Sequence, residues 1–217
     1  MSLVIHGELM DRLYRHQRHF YDVTRKYYLL GRDRLIDRLE PAAGRAVLEI
    51  GCGTARNLVR AARCYPQAQF FGIDVSHEML ATAHVEVARE GLARRIQLAH
   101  GDGAAFDAQE LFGRRSFDRV FVSYTLSMIP AWRDVLRQAI ALLPPGGELH
   151  IVDFGGQERL PLWFQATLRA WLALFHVAPR DELEAELGPM ALRAGCLPVF
   201  ERPWRGYAQM AVVRRLP

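Results

Sequence analysis

The sequence predicts an α/β protein in which a doubly wound, Rossmann-like sheet of seven strands follows an N-terminal helical cap. Strand-like and helix-like apolar patterns alternate over residues 46–152, as expected for a parallel sheet covered by helices on both faces. Two more strand-like stretches, at 198–201 and 207–213, predict a hairpin that closes the sheet. Residues 8–40 show helical periodicity, so we expect the cap there.

A short apolar stretch followed by a glycine-rich turn predicts a ligand-binding loop early in the sheet. Residues 47–50, Val-Leu-Glu-Ile, have the composition of a buried parallel strand. Gly51 and Gly53, on either side of the small residue Cys52, let the backbone turn tightly and approach a ligand. The next predicted strand ends at Asp74, where a carboxylate can accept both hydroxyl groups of a bound ribose. These features predict a site for a nucleoside cofactor.

Two residues beside the glycine turn distinguish between nucleoside cofactors. A dinucleotide-binding loop has a third glycine where this chain has Arg56, and an arginine is too bulky for close packing of helix on strand. Glu49 lies just before the glycines, where its charge disfavours a phosphate pressed on the turn. S-adenosylmethionine (SAM) carries no phosphate, and its amino acid end can use a nearby carboxylate. The loop therefore favours SAM.

The stretch 47–57 resembles motif I of the class I SAM-dependent methyltransferases. Three later stretches, 98–103, 116–123 and 143–148, resemble the acidic adenine-binding motif, the fourth strand and the turn before the fifth strand of that family. Four motifs in this order imply the family's fold and its cofactor SAM, with S-adenosylhomocysteine as the product. The cofactor-binding residues implied by the resemblance are Glu49, Gly51, Cys52, Gly53, Asp74, Val75, Met79, Asp102, Gly103 and Ser123.

The resemblance also implies individual roles around the cofactor. Asp74 would accept the ribose hydroxyls, and Asp102 would accept a hydrogen bond from the adenine amino group. Ser123 and Tyr124 would lie where the fourth strand meets the transferable methyl group. Asp153 follows the predicted fifth strand, on the substrate side in this family, and is a candidate for orienting the acceptor.

The 217 residues predict one domain with three parts. Residues 1–43 form the helical cap, 44–153 the SAM-binding core, and 154–217 a substrate-side helix with the closing strands. We expect a monomer or a weak oligomer.

Composition and residue spacing exclude several classes of protein. The chain contains no apolar segment of membrane-spanning length and no apolar signal region, which predicts a cytoplasmic protein. Its 3 cysteines and 8 histidines show no metal-ligand spacing, so we predict no metal and no disulfide framework. A net charge of +4 is compatible with an anionic surface as partner, but no nucleic-acid-binding motif accompanies it.

A second resemblance concerns the substrate. Residues 18–34, Arg-His-Phe-Tyr-Asp-Val-Thr-Arg-Lys-Tyr-Tyr-Leu-Leu-Gly-Arg-Asp-Arg, resemble the N-terminal signature of the betaine-lipid N-methyltransferases, in their stand-alone bacterial form. That family methylates diacylglyceryl-homoserine three times, giving diacylglyceryl-N,N,N-trimethylhomoserine. The resemblance implies a lipid substrate at the inner face of the membrane and an aminocarboxypropyl transferase as functional partner. The alternatives are a methyltransferase for a quinone or a small amine, and a non-catalytic SAM-binding partner subunit.

Three residues of this segment are candidates for contact with the substrate or the cofactor. Tyr21 and Tyr28 share one helical stripe, and their rings can hold the quaternary ammonium product. The alternative is that both tyrosines pack the helix on the sheet. Arg25 offers a positive charge for a carboxylate of the cofactor or of the homoserine headgroup, or else belongs to a solvated helix face. We expect no catalytic dyad, because an α-amino group with a pKa near ~8 is partly neutral without a strong base.

A predicted helix over residues 160–177 is apolar almost all round and includes Trp163 and Trp171. It is too short to span a bilayer. Either it is ordinary core, or it forms a wall or lid for acyl chains that touches the membrane. Arg159 and Arg169 nearby favour the second alternative.

Overall fold

The computed structural model describes residues 29–217. The helices are α1 (Arg32–Asp37), α2 (Arg56–Cys64), α3 (His77–Arg89), α4 (Ala108–Phe112), α5 (Trp132–Ala141), α6 (Leu162–Ala173) and α7 (Leu183–Arg193), with a 3₁₀ turn at Trp204–Gly206. The strands are β1 (Ala46–Ile50), β2 (Gln69–Asp74), β3 (Ile96–His100), β4 (Arg119–Ser123), β5 (Glu148–Phe154), β6 (Cys196–Glu201) and β7 (Ala208–Arg215).

The strands form one seven-stranded sheet in the order β3-β2-β1-β4-β5-β7-β6. Strands β1 to β5 pair in parallel, and β7 is antiparallel to both of its neighbours. The predicted doubly wound sheet with a closing hairpin is confirmed. The strand order reverses between β1 and β4, and a ligand crevice opens at such a point, beyond the carboxyl ends of the strands.

The sheet is covered on both faces because consecutive strand residues point to opposite sides. Val47 and Phe121 belong to the apolar cluster that includes α1, α2, α3 and α6. Leu48 and Val120 belong to the cluster that includes α4, α5 and α7. Every residue of β1 and β5 is buried, which explains why β1 is apolar except for Glu49.

Several element boundaries differ from the sequence-based prediction. β5 continues through Phe154, because its pairing with β7 extends to the pair Phe154–Ala208. β6 begins at Cys196 and contains Pro198, which an edge strand tolerates because it needs fewer backbone donors. Within residues 29–217 no helix is long and apolar enough to cross a membrane, and α6 has only 12 residues.

The part of the predicted cap that the structure describes, residues 29–43, contains α1. Residues 1–28 lie outside the described part of the chain, so the extent of the helical cap stays a prediction. The same holds for the division of the chain into three parts.

Candidate cofactor site

The glycine turn after β1 adopts the conformation for which glycine is required. Gly51 has φ 74° and Gly53 has φ 53°, both in the left-handed region. The amides of Gly51 and Cys52 both donate to the carbonyl of Ile73, at distances of 2.8 and 3.0 Å, which ties the turn to the end of β2. A Cβ atom on Gly51 would collide with the side chain of Thr125, whereas one on Gly53 would meet nothing within 4 Å. The turn therefore has a closed side at Gly51 and an open side at Gly53.

Asp74 lies at the end of β2, directly beside this open side. Its Oδ2 accepts a hydrogen bond of 2.7 Å from the amide of Gly53, and its Oδ1 accepts one of 2.9 Å from the amide of Ser76. These two bonds hold the Asp74 carboxylate at the rim of the glycine turn. Its half-buried position is compatible with the predicted acceptance of ribose hydroxyls, which stays a prediction.

Asp102 and Gly103 follow β3 at the same edge of the sheet. The half-buried Asp102 accepts a 2.9 Å hydrogen bond from the amide of Ala104, which fixes its carboxylate at the start of the loop. A Cβ on Gly103 would lie 2.5 Å from Ile50, so the loop packs against the end of β1 only because this residue is glycine. The structure thus brings the loops after β1, β2 and β3 together, as the sequence predicts.

The residues that follow Asp74 form the start of α3. Met79 is buried, and its amide donates to the hydroxyl of the helix cap Ser76 at 3.2 Å. The Val75 carbonyl lies 3.0 Å from Nε2 of His100, whose ring stacks on His77 with centroids 3.7 Å apart. The sequence analysis assigned no function to His100. The stacked pair forms because β3 pairs with β2, which brings His100 next to the start of α3, and spacing along the chain does not reveal this pairing.

Glu49 is the charged residue of β1 and is fully buried. Its Oε1 accepts a 2.7 Å hydrogen bond from Asn57, while Oε2 has no partner among the residues that the structure describes. Burial raises the pKa of Glu49 well above its ordinary value, and the negative charge of Asp74 raises it further. The hydrogen bond from Asn57 and the positive charge of Arg32 lower the pKa but do not cancel the effect of burial. The carboxyl group is therefore available, between the turn and α1, for the predicted amino acid end of the cofactor.

Arg32 is a residue that the sequence analysis missed. It begins α1, is half-buried, and acts electrostatically on both Glu49 and Tyr124. A signal existed, because Arg32 belongs to the segment 18–34 on which the second resemblance rests. Its position next to a buried carboxyl group, however, follows only from the packing of α1 on the sheet.

Ser123 and Tyr124 end β4, as the sequence predicts, but the tyrosine hydroxyl has a structural partner. The Oγ of Ser123 is buried without a hydrogen-bond partner in residues 29–217. Tyr124 has φ 56° and is 5% exposed, and its hydroxyl donates to the Leu30 carbonyl at 2.6 Å. Burial raises its pKa well above the ordinary value. The hydroxyl therefore anchors residue 30 over the strand end, and this argues against its predicted catalytic contact.

The sequence analysis expected Asp153 to follow the fifth strand, but the structure places it inside that strand. It lies within β5 and is fully buried. Its carboxylate accepts hydrogen bonds from the amides of Ser127 (3.0 Å) and Phe154 (2.8 Å). Burial raises its pKa from 3.8 to about 6, against the effect of these bonds. Asp153 ties the loop after β4 to β5, and its position argues against contact with an acceptor.

The substitution Asp153→Asn is expected to change how stability depends on pH. Between about pH 4 and pH 6 the folded protein holds a proton on Asp153 that the unfolded chain has lost. The stability contribution of this group is therefore fully present below about pH 4 and decreases as the pH rises to about 6, by about 3 kcal/mol at most. Urea unfolding of the wild type and of Asp153→Asn across this pH range measures the free energy of unfolding of each. Parallel stability curves for wild type and variant would contradict this prediction.

The remaining predictions concern residues outside the described part, cysteines and metals. Tyr21, Arg25 and Tyr28 lie outside the described residues, so their roles stay predictions. Burial raises the pKa of the Cys52 thiol well above its ordinary value, which is consistent with a small residue that fits the turn rather than a reactive thiol. In residues 29–217 no three histidine, cysteine or acidic side chains group as metal ligands.

Comparison with known proteins shows what this arrangement resembles. Residues 47–147 match the family described as a methyltransferase domain. This range is slightly less than half of the chain, and over it the chain resembles a SAM-dependent methyltransferase domain. The matched range begins in β1 and ends just before β5. It therefore contains the loops that follow β1, β2, β3 and β4. The predicted cofactor, SAM, is confirmed at the level of the domain.

The relatives and solved structures that resemble this chain include methyltransferases with different substrates. The demethylmenaquinone methyltransferase of Listeria welshimeri is 30% identical over 66% of this chain, and this match spans 58% of the length of that relative. The SAM-dependent methyltransferase SibL aligns with a TM-score of 0.72 at 20% identity, over 91% of this chain and 58% of SibL. A phosphoethanolamine N-methyltransferase of Haemonchus contortus aligns with a TM-score of 0.66 at 18% identity, over 86% and 52%. At these identities the structures establish the fold alone.

Proposed function

We propose that the protein transfers methyl groups from SAM to the amine of diacylglyceryl-homoserine, three times, to form a betaine lipid. The segment 18–34 supports this through its resemblance to the betaine-lipid N-methyltransferases. We further propose that the protein works at the inner, cytoplasmic face of the membrane. There an aminocarboxypropyl transferase would supply the substrate.

The observation that carries the proposal is the apolar environment next to the ends of β4 and β5. Half-buried apolar side chains pack against the cluster that contains Tyr124 and Phe154. They come from the residues before α1, from the loop after β4, and from α6 and the residues next to it. These side chains are Leu29, Leu30, Met128, Leu160, Phe164, Leu168, Trp171 and Phe175. Because these side chains are only half-buried, they leave apolar surface exposed, and such a surface suits a substrate with acyl chains better than a small polar amine.

The buried carboxyl groups Glu49 and Asp153 are not placed to act as a base on an acceptor, and this favours an amine as acceptor. Methyl transfer is an in-line displacement in which the sulfonium loses its charge while the acceptor gains one, so positioning and exclusion of water are the main requirements. Glu49 and Asp153 are both fully buried, and Asp153 is bonded to backbone amides. A phenol must lose its proton and needs a base, whereas an α-amino group does not, because part of it is neutral near its pKa of about 8.

Lipid mass spectrometry tests the function directly. Purified protein is incubated with SAM and diacylglyceryl-homoserine in mixed micelles, and we expect products with one, two and three added methyl groups. Asp74→Asn serves as the inactive control. Unchanged lipid mass, with SAM binding intact by calorimetry, would reject the lipid substrate while leaving the methyltransferase domain in place.

A quinone is the second candidate acceptor, because the demethylmenaquinone methyltransferase of Listeria welshimeri is 30% identical to this chain. The same assay with a reduced demethylmenaquinone separates the two candidates. A non-catalytic SAM-binding subunit is the third alternative, and it would bind SAM yet release no S-adenosylhomocysteine with either acceptor.

Arg32→Gln is expected to weaken SAM binding about tenfold, since it removes the cation that faces the buried carboxyl of Glu49 and the predicted amino acid end of the cofactor. Isothermal titration calorimetry measures the change. Arg38→Gln, on the same helix, is the matched control, because Arg38 forms an ion pair with Glu201 away from the glycine turn. Equal SAM affinities for the two variants would show that Arg32 does not contribute to SAM binding.

A further inference from the structure

Helix α6 exposes a continuous apolar face. Its exposed side chains recur every three or four residues and share one side of the helix: Leu162, Trp163, Ala166, Thr167, Ala170, Ala173 and the following Leu174. We call these residues the α6 outer face. Leu162, Trp163 and Leu174 are 82%, 71% and 72% exposed. None of the set is charged, and the hydroxyl of Thr167 donates to the Trp163 carbonyl at 2.8 Å.

The opposite side of α6 is already packed on the protein. Leu172 is buried, and Phe164, Leu168, Trp171 and Phe175 pack against the cluster that lies over the sheet. The core therefore does not need the α6 outer face. Soluble proteins rarely leave a contiguous apolar surface of this kind in water unless it binds something.

Two arginines flank the amino-terminal end of this face. The amide of Arg159 donates to the carbonyl of Arg205 at 3.3 Å, so these two exposed residues are neighbours. Neither side chain forms an ion pair with any residue from 29 to 217. Other arginines nearby are neutralised, Arg169 by Asp181 and Arg202 by Glu158 and Glu184.

Trp204 adds an aromatic ring beside these arginines. It is 41% exposed, and it precedes Arg205 in the turn between β6 and β7. The end of α6 thus combines exposed aromatic rings with two positive charges that form no ion pair with the described residues. This combination is typical of surfaces that lie in a membrane interface.

We propose that the α6 outer face, with Arg159 and Arg205, docks on an anionic lipid bilayer. The apolar face would enter the boundary between headgroups and acyl chains, and the arginines would pair with anionic headgroups. A bilayer matches both features at once, an uncharged apolar stripe and a positive border. The proposal rests on the lipid substrate proposed above. Because α6 follows β5 closely, docking would hold the crevice at the depth of the headgroups, so that the acyl chains need not leave the bilayer.

Vesicle flotation of the full chain tests the docking surface. We expect binding to phosphatidylglycerol vesicles, weaker binding to phosphatidylcholine vesicles, and loss of the difference at high salt. Leu162→Ser/Trp163→Ser should weaken binding about tenfold or more. Val85→Ser/Leu192→Ser, which removes side chains that are 70% and 60% exposed elsewhere, is the matched control. Equal binding of the two double variants would overturn the proposal.

The charges need their own comparison. Arg159→Gln/Arg205→Gln should abolish the preference for phosphatidylglycerol. Arg94→Gln/Arg115→Gln removes the same charge from exposed positions on other loops and should retain it. If both pairs reduce binding equally, overall charge rather than this surface attracts the protein, and the proposal fails.

Thiol labelling distinguishes a bilayer from other occupants of the face. Ala170→Cys is made in a Cys64→Ser background, because Cys52 and Cys196 are buried. We expect fast maleimide labelling in solution and protection by phosphatidylglycerol vesicles. Slow labelling in solution would overturn the proposal. A dimer by light scattering would then indicate a second copy of the chain, and a monomer would indicate coverage by another part of the same chain.

The assay also separates failure of docking from failure of the proposed function. Leu162→Ser/Trp163→Ser should slow methylation of vesicle-embedded diacylglyceryl-homoserine but not of its short-chain, water-soluble analogue. Wild-type rates on vesicles would reject docking and leave the function in place. Vesicle binding by the wild type without methylation of either lipid would reject the function and leave docking in place.

Discussion

Asp74→Asn is expected to weaken SAM binding by about two orders of magnitude. Asp74 would accept two ribose hydroxyls through charge-assisted hydrogen bonds, and loss of such bonds costs about 2–4 kcal/mol in total. The same carboxylate orders the turn, since it accepts the amides of Gly53 and Ser76 at 2.7 and 2.9 Å. An asparagine side chain can accept only one of the two, because its amide nitrogen is a donor. Calorimetric titration with SAM measures the loss.

Asp107→Asn is the matched control for this prediction. Asp107 also accepts two backbone amides, those of Gln109 and Glu110, but it does so as the cap of α4, away from the ends of β1 and β2. We expect this variant to lose some stability and to bind SAM as the wild type does. Similar SAM affinities for the two variants would show that Asp74 acts only on backbone structure.

Gly51→Ala is expected to abolish measurable SAM binding and to destabilise the fold by about 2–4 kcal/mol. A Cβ at this position collides with the side chain of Thr125, and φ 74° adds the strain of a left-handed non-glycine residue. The collision must displace either the glycine turn or the loop after β4, and both border the crevice. Thermal unfolding and calorimetric titration measure the two effects.

Three variants make this prediction specific. Gly53→Ala should cost only about 1–2 kcal/mol, because its added Cβ meets nothing within 4 Å and only backbone strain remains. Gly113→Ala has a similar φ of 65° and open space, far from the glycine turn, and should leave SAM binding unchanged. Gly51→Ala/Thr125→Ala should regain part of the lost stability. A double variant no more stable than Gly51→Ala would exclude Thr125 as the cause.

The sequence predicts the parts of the site that depend on local pattern. Glycines at 51 and 53 follow an apolar strand, and Asp74 ends the next one, so their meeting at one sheet edge follows from parallel topology alone. The structure places Gly53 and Asp74 within a hydrogen bond of each other. By contrast, the predicted catalytic contacts of Tyr124 and Asp153 do not fit their positions, since both side chains are buried and bonded to backbone.

These differences have a common physical origin in long-range pairing. The sequence places the end of β5 at Val152, but pairing with β7 extends the strand and buries Asp153 opposite Gln209. Pairing with a strand more than fifty residues away leaves no mark on local composition. The position of Arg32 near Glu49 likewise depends on how α1 packs across the sheet rather than on spacing along the chain.

The sequence by itself determined the strand and helix pattern, the glycine turn, the acid at the end of β2 and, through them, the resemblance to SAM-dependent methyltransferases. These are properties of short stretches whose backbone conformation and burial follow from residue type and period. Only the tertiary structure decided which polar groups remain available at the crevice and which are used by the fold. It also decided that α6 keeps one apolar face in solvent, because a helix that is apolar all round does not show from its sequence which side the core will cover.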